Sequence, residues 1–273
     1  IVDRAGFDVR AAIDFFKTMQ KNNQFSGGAA PAFLRTHPVT SDRISDIQDR
    51  LSEYPYKQRM NSDNFYYVKG KLRALLEDKN AIINILEINI KNKSYSNEAG
   101  ERFALAYAYL RNNMIIKAKS ELEYLKKKKL VNPMLLNLEA IILIQENKKK
   151  EATKLYKKGL SMFPSHRALV YGLAEHYIRL SKTTIAINLL HDYLLIFPED
   201  PILYELMAKA QAGEGKILLQ YESLAEAFYY RYNIREAISL LGLAASAKDG
   251  NFYEKSRVES RLKELKSEWK LFK

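Results

Sequence analysis

The sequence predicts an all-α solenoid of stacked antiparallel helix pairs, and three observations carry that expectation. Ala106, Ala140, Ala174 and Ala208 follow one another at steps of 34 residues. Ala118, Ala152 and Ala186 keep the same step in a second register, and Pro164 and Pro198 keep it in a third. A 34-residue period is that of a helix–turn–helix unit which cannot bury its apolar face alone and so stacks on its neighbours.

Each repeat can be justified in order, with starts at Ala99, Pro133, Arg167 and Pro201. Position 8 is then alanine four times, and position 20 is alanine until Gln220 breaks the series. Two helices of a pair cross at these positions, and a methyl lets their axes approach closely. Larger apolar residues at neighbouring positions fill the space on either side. Pro133 and Pro201 suit a first helical turn, where a missing N–H costs nothing, and Asn132 and Asp200 before them suit N-caps. Towards the N-terminus, 62–76 and 79–91 read as a degenerate first pair without the alanine register.

The register slips once. Tyr221, Leu224, Ala225, Phe228 and Ala237 fit positions 4, 7, 8, 11 and 20 of a repeat starting at Leu218, half a period after Pro201. One helix near 216–231 is therefore expected to serve two neighbouring repeats. Asp249-Gly250 breaks the chain, and a helix near 251–268 closes the stack with Arg257, Arg261, Glu264 and Glu268 on a polar outer face. These features resemble the tetratricopeptide repeat family over some 170–200 residues. In that family positions 2, 5, 9 and 12 of each first helix line an inner groove. Here those positions include Phe103, Tyr107, Asn137, Ile141, Tyr171, Glu175 and Glu205, although Phe103 and Tyr171 could instead pack between adjacent repeats. Aromatic and amide groups suit a polypeptide partner, and the Lys, Arg and Asn cluster of a carboxylate clamp is absent.

Composition limits the alternatives. The 273 residues carry no cysteine, which excludes a thiol nucleophile, a thiolate zinc site and a disulfide. The longest strongly apolar stretch, near Ala140–Ile144, is far too short to span a bilayer. A start at Ile1 rather than Met leads us to expect a processed or cut product. The net charge of +12 lies mostly in 61–200, with 23 basic against 15 acidic residues. Its lysine runs, 126–129, 148–150 and 157–158, fall at helix ends and turns where lysine suits the helix dipole. They hold almost no arginine and no interleaved aromatic, so they read as solvated termini and no nucleic-acid partner is expected.

Residues 1–60 follow another pattern. Val9–Gln20 is an amphipathic run, with Ala12, Phe15, Phe16 and Met19 at helical spacing. A loop with Ser26-Gly27-Gly28 and Pro31 follows, then Phe33-Leu34-Arg35-Thr36-His37-Pro38, then a helix opened by Thr40-Ser41-Asp42-Arg43-Ile44. Pro38 holds His37 in extended backbone. From spacing alone, Thr36-His37-Pro38 is a turn before a helix.

The order Ala5-Gly6-Phe7-Asp8, Leu34-Arg35-Thr36-His37-Pro38 and Arg43-Ile44 resembles the end of the catalytic domain of M48-family zinc metallopeptidases. With the repeats that follow, the chain resembles periplasmic members of that family that carry C-terminal tetratricopeptide repeats. The resemblance implies that 1–60 is the C-terminal remnant of the peptidase domain, including an active-site lid loop, and that 61–273 is the solenoid with its capping helix. It implies zinc in an intact parent, held by an HExxH helix and a downstream glutamate upstream of Ile1, with His37 as a possible fourth ligand or lid switch. It also implies a periplasmic location and polypeptide partners, among them outer-membrane β-barrel precursors and their assembly machinery. The histidines His37, His166, His176 and His191 include no pair four apart, so neither HExxH nor a three-ligand zinc site is present. The chain alone is expected to hold no metal and no catalytic residue. A stand-alone repeat adaptor in envelope or pilus assembly is the alternative.

Overall fold

In the computed structural model the described residues are 2–25, 45, 48–49, 51, 54–57, 60–127 and 131–271. They form two compact units, Ile1–Ser62 and Asp63–Lys273. In the first, α1 spans Ala11–Phe25. Its entry turn is tied by the Asp8 carboxylate, which accepts from the Arg10 backbone N–H at 2.9 Å. The chain returns to this turn later, where Lys57 donates to Asp3 at 2.5 Å and the Arg10 guanidinium lies 4.5 Å from the Tyr56 ring centroid. His37, the loop around it and the helix start at Thr40–Ile44 lie outside the described residues.

The second unit is built from helices joined by short turns among its described residues, as the alanine registers require. Its helices are α2 (Asp63–Leu76), α3 (Ala81–Asn92), α4 (Glu98–Arg111), α5 (Ile115–Lys126), α6 (Pro133–Gln145), α7 (Lys149–Met162), α8 (Arg167–Arg179), α9 (Thr183–Ile196), α10 (Pro201–Gly213), α11 (Ile217–Tyr229), α12 (Ile234–Ala245) and α13 (Phe252–Leu271). By the 34-residue register the repeat pairs are α4/α5, α6/α7, α8/α9 and α10/α11. Every alanine of the two 34-residue registers is buried. The caps form as expected, with Asn132 accepting from the Met134 N–H at 2.8 Å and Asp200 from the Ile202 N–H at 3.0 Å.

One turn geometry recurs between the helices of a pair. Asn113, Asn147, Ser181 and Gly215 all take left-handed backbone, with φ of 56°, 60°, 56° and 71°. The next N–H donates back to the carbonyl of Tyr109, Leu143, Tyr177 or Gln211, at 2.8–3.0 Å. This turn satisfies the last carbonyls of each first helix. It appears twice more: after α3, where Lys93 has φ 56° and Ser94 donates to the Asn89 carbonyl at 2.9 Å, and half a period after Gly215, where Tyr232 has φ 60° and Asn233 donates to the Phe228 carbonyl at 2.9 Å. So α11 ends as a first helix ends, although it is also the second helix of the pair begun by α10. It packs on both α10 and α12. Contacts between alternate helices shift with it, from α6 on α8 and α8 on α10 to α11 on α13. The half-period slip is thus a change of stacking side.

Two expectations need correction. Arg257 and Arg261 do not form a purely solvated outer face, because each makes a two-pronged ion pair with α11, to Glu222 at 2.6–2.7 Å and to Glu226 at 2.8–3.0 Å. At the other end, α2 and α3 each pack on α4 rather than forming a closed pair. Glycines set that approach: a Cβ on Gly70 would stand 2.5 Å from the Gly100 carbonyl oxygen, and one on Gly100 would stand 2.8 Å from Tyr66 Cβ. Glu101, buried between these helices, accepts from Arg73 at 2.8 Å and from Asn89 at 2.7 Å.

Candidate polypeptide-docking cavity

Helices α6 and α8 stand side by side as first helices of successive repeats, so their positions 5 and 9 share a face. Between them lies a cavity of about 340 Å3, whose wall includes Ile141, Ile144, Tyr171, Gly172, Glu175 and Arg179. Lys71, Asn137 and Tyr156 also line it. Of this lining, Asn137 is buried; it donates to Tyr107 Oη at 3.3 Å and accepts from Tyr156 Oη at 3.4 Å. Gly172 makes this arrangement possible, since a Cβ there would lie 2.5 Å from Tyr156 Oη. Glu175 pairs with Arg179 at 2.8 Å along the same helix. Tyr171 is oriented by a hydrogen bond from its hydroxyl to Asp200, which Arg167 also approaches at 3.5 Å.

Charge at the site is sparse. The Lys71 ammonium lies 5.2 Å from the Tyr107 ring centroid and has no carboxylate within ion-pair distance among the described residues. Burial lowers its pKa. His176 has Nε2 within 3.0 Å of both Thr153 Oγ1 and the Lys149 carbonyl. Burial first, then the positive Lys149, Lys182 and Arg179, hold its pKa below the ordinary value. A cavity with an aliphatic and aromatic wall, a buried amide and few charges can take an uncharged or amphipathic segment of polypeptide.

The structure brings together Asn137, Ile141, Tyr171 and Glu175. It does not offer Phe103 and Tyr107 to a partner, and here the expectation of one continuous exposed stripe fails. Phe103 is fully buried and Tyr107 nearly so, because α2 lies over them, with the Tyr67 ring centroid 4.7 Å from that of Phe103. Glu205 pairs with Arg231 at 2.7 Å. Lys71, Tyr156 and Gly172 were not read from the sequence as groove residues. The available signal was Gly172, because a glycine inside a helix costs up to about 1 kcal/mol and often marks a close approach.

The buried tyrosines give the solenoid an alkaline limit. Burial pushes Tyr107 up to about 12, and Tyr156 and Tyr171 are also raised, chiefly by burial. Their folded-state values lie above the unfolded value of 10.0. The stability they contribute is therefore full below pH 10 and is lost as pH rises through the folded values. The part of the tyrosinate absorbance that belongs to the buried rings should accordingly rise together with loss of helical circular dichroism between about pH 10 and 12. Full tyrosine ionisation near pH 10 with the helices intact would contradict this.

Comparison with known proteins places this geometry. The tetratricopeptide repeat family matches residues 143–210. The beta-barrel assembly-enhancing protease of Yersinia pestis is 22% identical over 267 residues, covering 97% of this chain and 55% of that protein. The protein of the same name from Escherichia coli (strain K12) is 23% identical over 274 residues, covering 100% of this chain and 56% of that protein. Among solved structures, MamA 41-end from Desulfovibrio magneticus RS-1 has a TM-score of 0.43 and 17% identity, over 63% of this chain and 97% of that one. The chain spans about half the length of the curated relatives it matches. The chain is all-helical among its described residues, matches the tetratricopeptide repeat family over 143–210, and is similar along essentially its whole length to about half of the beta-barrel assembly-enhancing proteases.

Proposed function

We propose that this chain is the polypeptide-docking scaffold of a zinc metallopeptidase that works in the periplasm on outer-membrane β-barrel precursors and their assembly machinery. The observation that supports this most is the similarity to beta-barrel assembly-enhancing proteases from end to end of the chain, in the first unit as well as the repeats. The α6–α8 cavity supports a docking role, since it joins an apolar wall to a buried amide on a face that stacking repeats extend. In this reading the chain docks the substrate, and a peptidase domain carried by the intact protein cuts it. Among the described residues no helix is long and apolar enough to cross a membrane.

Zinc chemistry does not fit the residues described. His176 is engaged with Thr153 and Lys149, and no group of three His, Asp or Glu that could hold a metal occurs among the described residues. We therefore assign zinc to the intact parent, with His37 as a lid residue that can serve as a fourth ligand there. Metal analysis of the purified chain should find no stoichiometric zinc, and casein should survive incubation with it; about one tightly bound zinc per chain would overturn this. In an intact parent, His37→Ala should raise unregulated proteolysis, whereas complete loss of activity would make His37 a catalytic or supporting residue.

The docking role has its own test. A labelled, urea-unfolded outer-membrane β-barrel precursor, diluted into the purified chain, should bind saturably. Failure to bind, with the chain fully helical, would contradict the proposal.

A further inference from the structure

At the turn between α11 and α12 the surface changes character. A second cavity, of about 350 Å3, is lined by Glu199, Tyr229, Tyr230, Tyr232, Ile234 and Glu268. Three separate parts of the chain build it: the loop between α9 and α10, the α11–α12 turn, and the last turns of α13.

Its aromatic wall is set in place by neighbouring groups. The Tyr230 ring stacks on Tyr204, with centroids 5.5 Å apart and 14° between planes, and Tyr204 is fixed by donating to the Pro198 carbonyl at 2.9 Å. Tyr229 meets Tyr230 edge-on at 5.2 Å. The Tyr232 ring is 95% exposed and packs on almost nothing. Its backbone has φ 60° at a turn position where the equivalent residues are Lys93, Asn113, Asn147, Ser181 and Gly215. A bulky residue in left-handed backbone is disfavoured, and here no burial of the ring compensates.

The charges at this cavity are negative and unmatched. Glu199 and Glu268 form no ion pair among the described residues. Two nearby arginines are already engaged. Arg231 pairs with Glu205 at 2.7 Å, and Arg261 pairs with Glu226 at 2.8 Å while its guanidinium lies 4.5 Å from the Tyr229 ring centroid. A chain of net charge +12 thus carries here two free carboxylates beside tyrosine rings.

We propose that this cavity receives an arginine side chain of a partner polypeptide, with the guanidinium stacked on the tyrosine rings and its N–H groups donated to Glu199 and Glu268. Ring faces attract cations, and the carboxylates add charge-assisted hydrogen bonds. Both features repel an anion. Arginine suits them better than lysine, because its planar, weakly hydrated guanidinium stacks and donates in a fork at once. The site is separate from the α6–α8 cavity and stands or falls independently of it.

The test uses the full chain and two small probes, acetyl-Gly-Arg-Gly-amide and its citrulline counterpart, which keeps the shape of arginine without its charge. Trp269, the only tryptophan, adjoins Glu268 and supplies a local indole signal. In NMR titrations the arginine probe should shift the amides of 229–234 and the Trp269 indole saturably, and citrulline should bind about tenfold more weakly or worse. Glu199→Gln with Glu268→Gln should weaken arginine binding by about tenfold or more while leaving the helix content unchanged, and Tyr232→Ala should also weaken it. Equal binding of both probes, an unaffected glutamine variant, or shifts confined to the α6–α8 cavity would overturn the proposal.

Discussion

Gly70→Leu should detach α2 from the solenoid. The glycine faces backbone, and even a methyl there would lie 2.5 Å from the Gly100 carbonyl oxygen and 3.2 Å from Ala104 Cβ. Backbone cannot swing aside as the end of a flexible side chain can, so the helices must separate. Overpacking of a close crossing costs about 1–3 kcal/mol, and leucine at this crossing should lie at the upper end. Separation would also expose Phe103 and Tyr107, which α2 covers. The variant should therefore show a lower urea midpoint, fast amide exchange in 63–76, and binding of a hydrophobic dye. Gly242→Ala is the control: nothing stands within 4 Å of its added methyl, and replacing a helical glycine should be neutral or stabilising by up to about 1 kcal/mol. Unchanged stability in Gly70→Leu would show that α2 does not depend on this approach.

The second large effect is on docking. Ile141→Glu should reduce capture of an unfolded β-barrel precursor by about tenfold or more, because it places a charge on the apolar wall of the α6–α8 cavity. Tyr171→Ala should reduce it comparably, since a buried aromatic anchor typically contributes about 2 kcal/mol or more. Tyr171 also holds Asp200, the cap of α10, so a fold effect must be separated from a binding effect. Tyr171→Phe does this, because it removes the hydroxyl and keeps the ring. If the ring is what a partner meets, Tyr171→Phe should bind nearly as well as the native chain. If it binds as poorly as Tyr171→Ala, the tyrosine acts through Asp200 and the cap.

The solenoid was legible because helix crossings tolerate only small residues, and the 34-residue period repeats that constraint in two registers. The half-period slip was legible for the same reason, in Ala225 and Ala237, and the Tyr232 turn shows it a second time in backbone geometry. Packing of Phe103 was legible as one of two alternatives, but the burial of Tyr107 and the cover that α2 lays over both rings were not. That cover depends on Gly70 and Gly100, which belong to no period and read singly as ordinary helix glycines. Part of the cavity lining was missed in a similar way: Tyr156 comes from a second helix, outside the positions assigned to the groove, and reaches it only because Gly172 has no side chain. The ion pairs of Lys126 with Glu139 and of Lys148 with Glu146, each at 2.8 Å, show how the lysine runs are partly matched locally. A charge count along the sequence could not show this, because Glu139 and Lys126 sit on different helices.

Photocrosslinking tests the central claim most directly. A photoreactive residue is placed in turn at Ile141, Glu175 and Arg179 in the cavity, and at Lys127 and Lys149 on the basic runs, and each variant is presented with unfolded β-barrel precursor. Adducts from 141, 175 and 179 that fade when unlabelled precursor competes, with little from 127 and 149, are the result predicted for a chain that docks polypeptide between α6 and α8. Adducts from 127 and 149 alone would place the binding face on the basic edge and contradict the account.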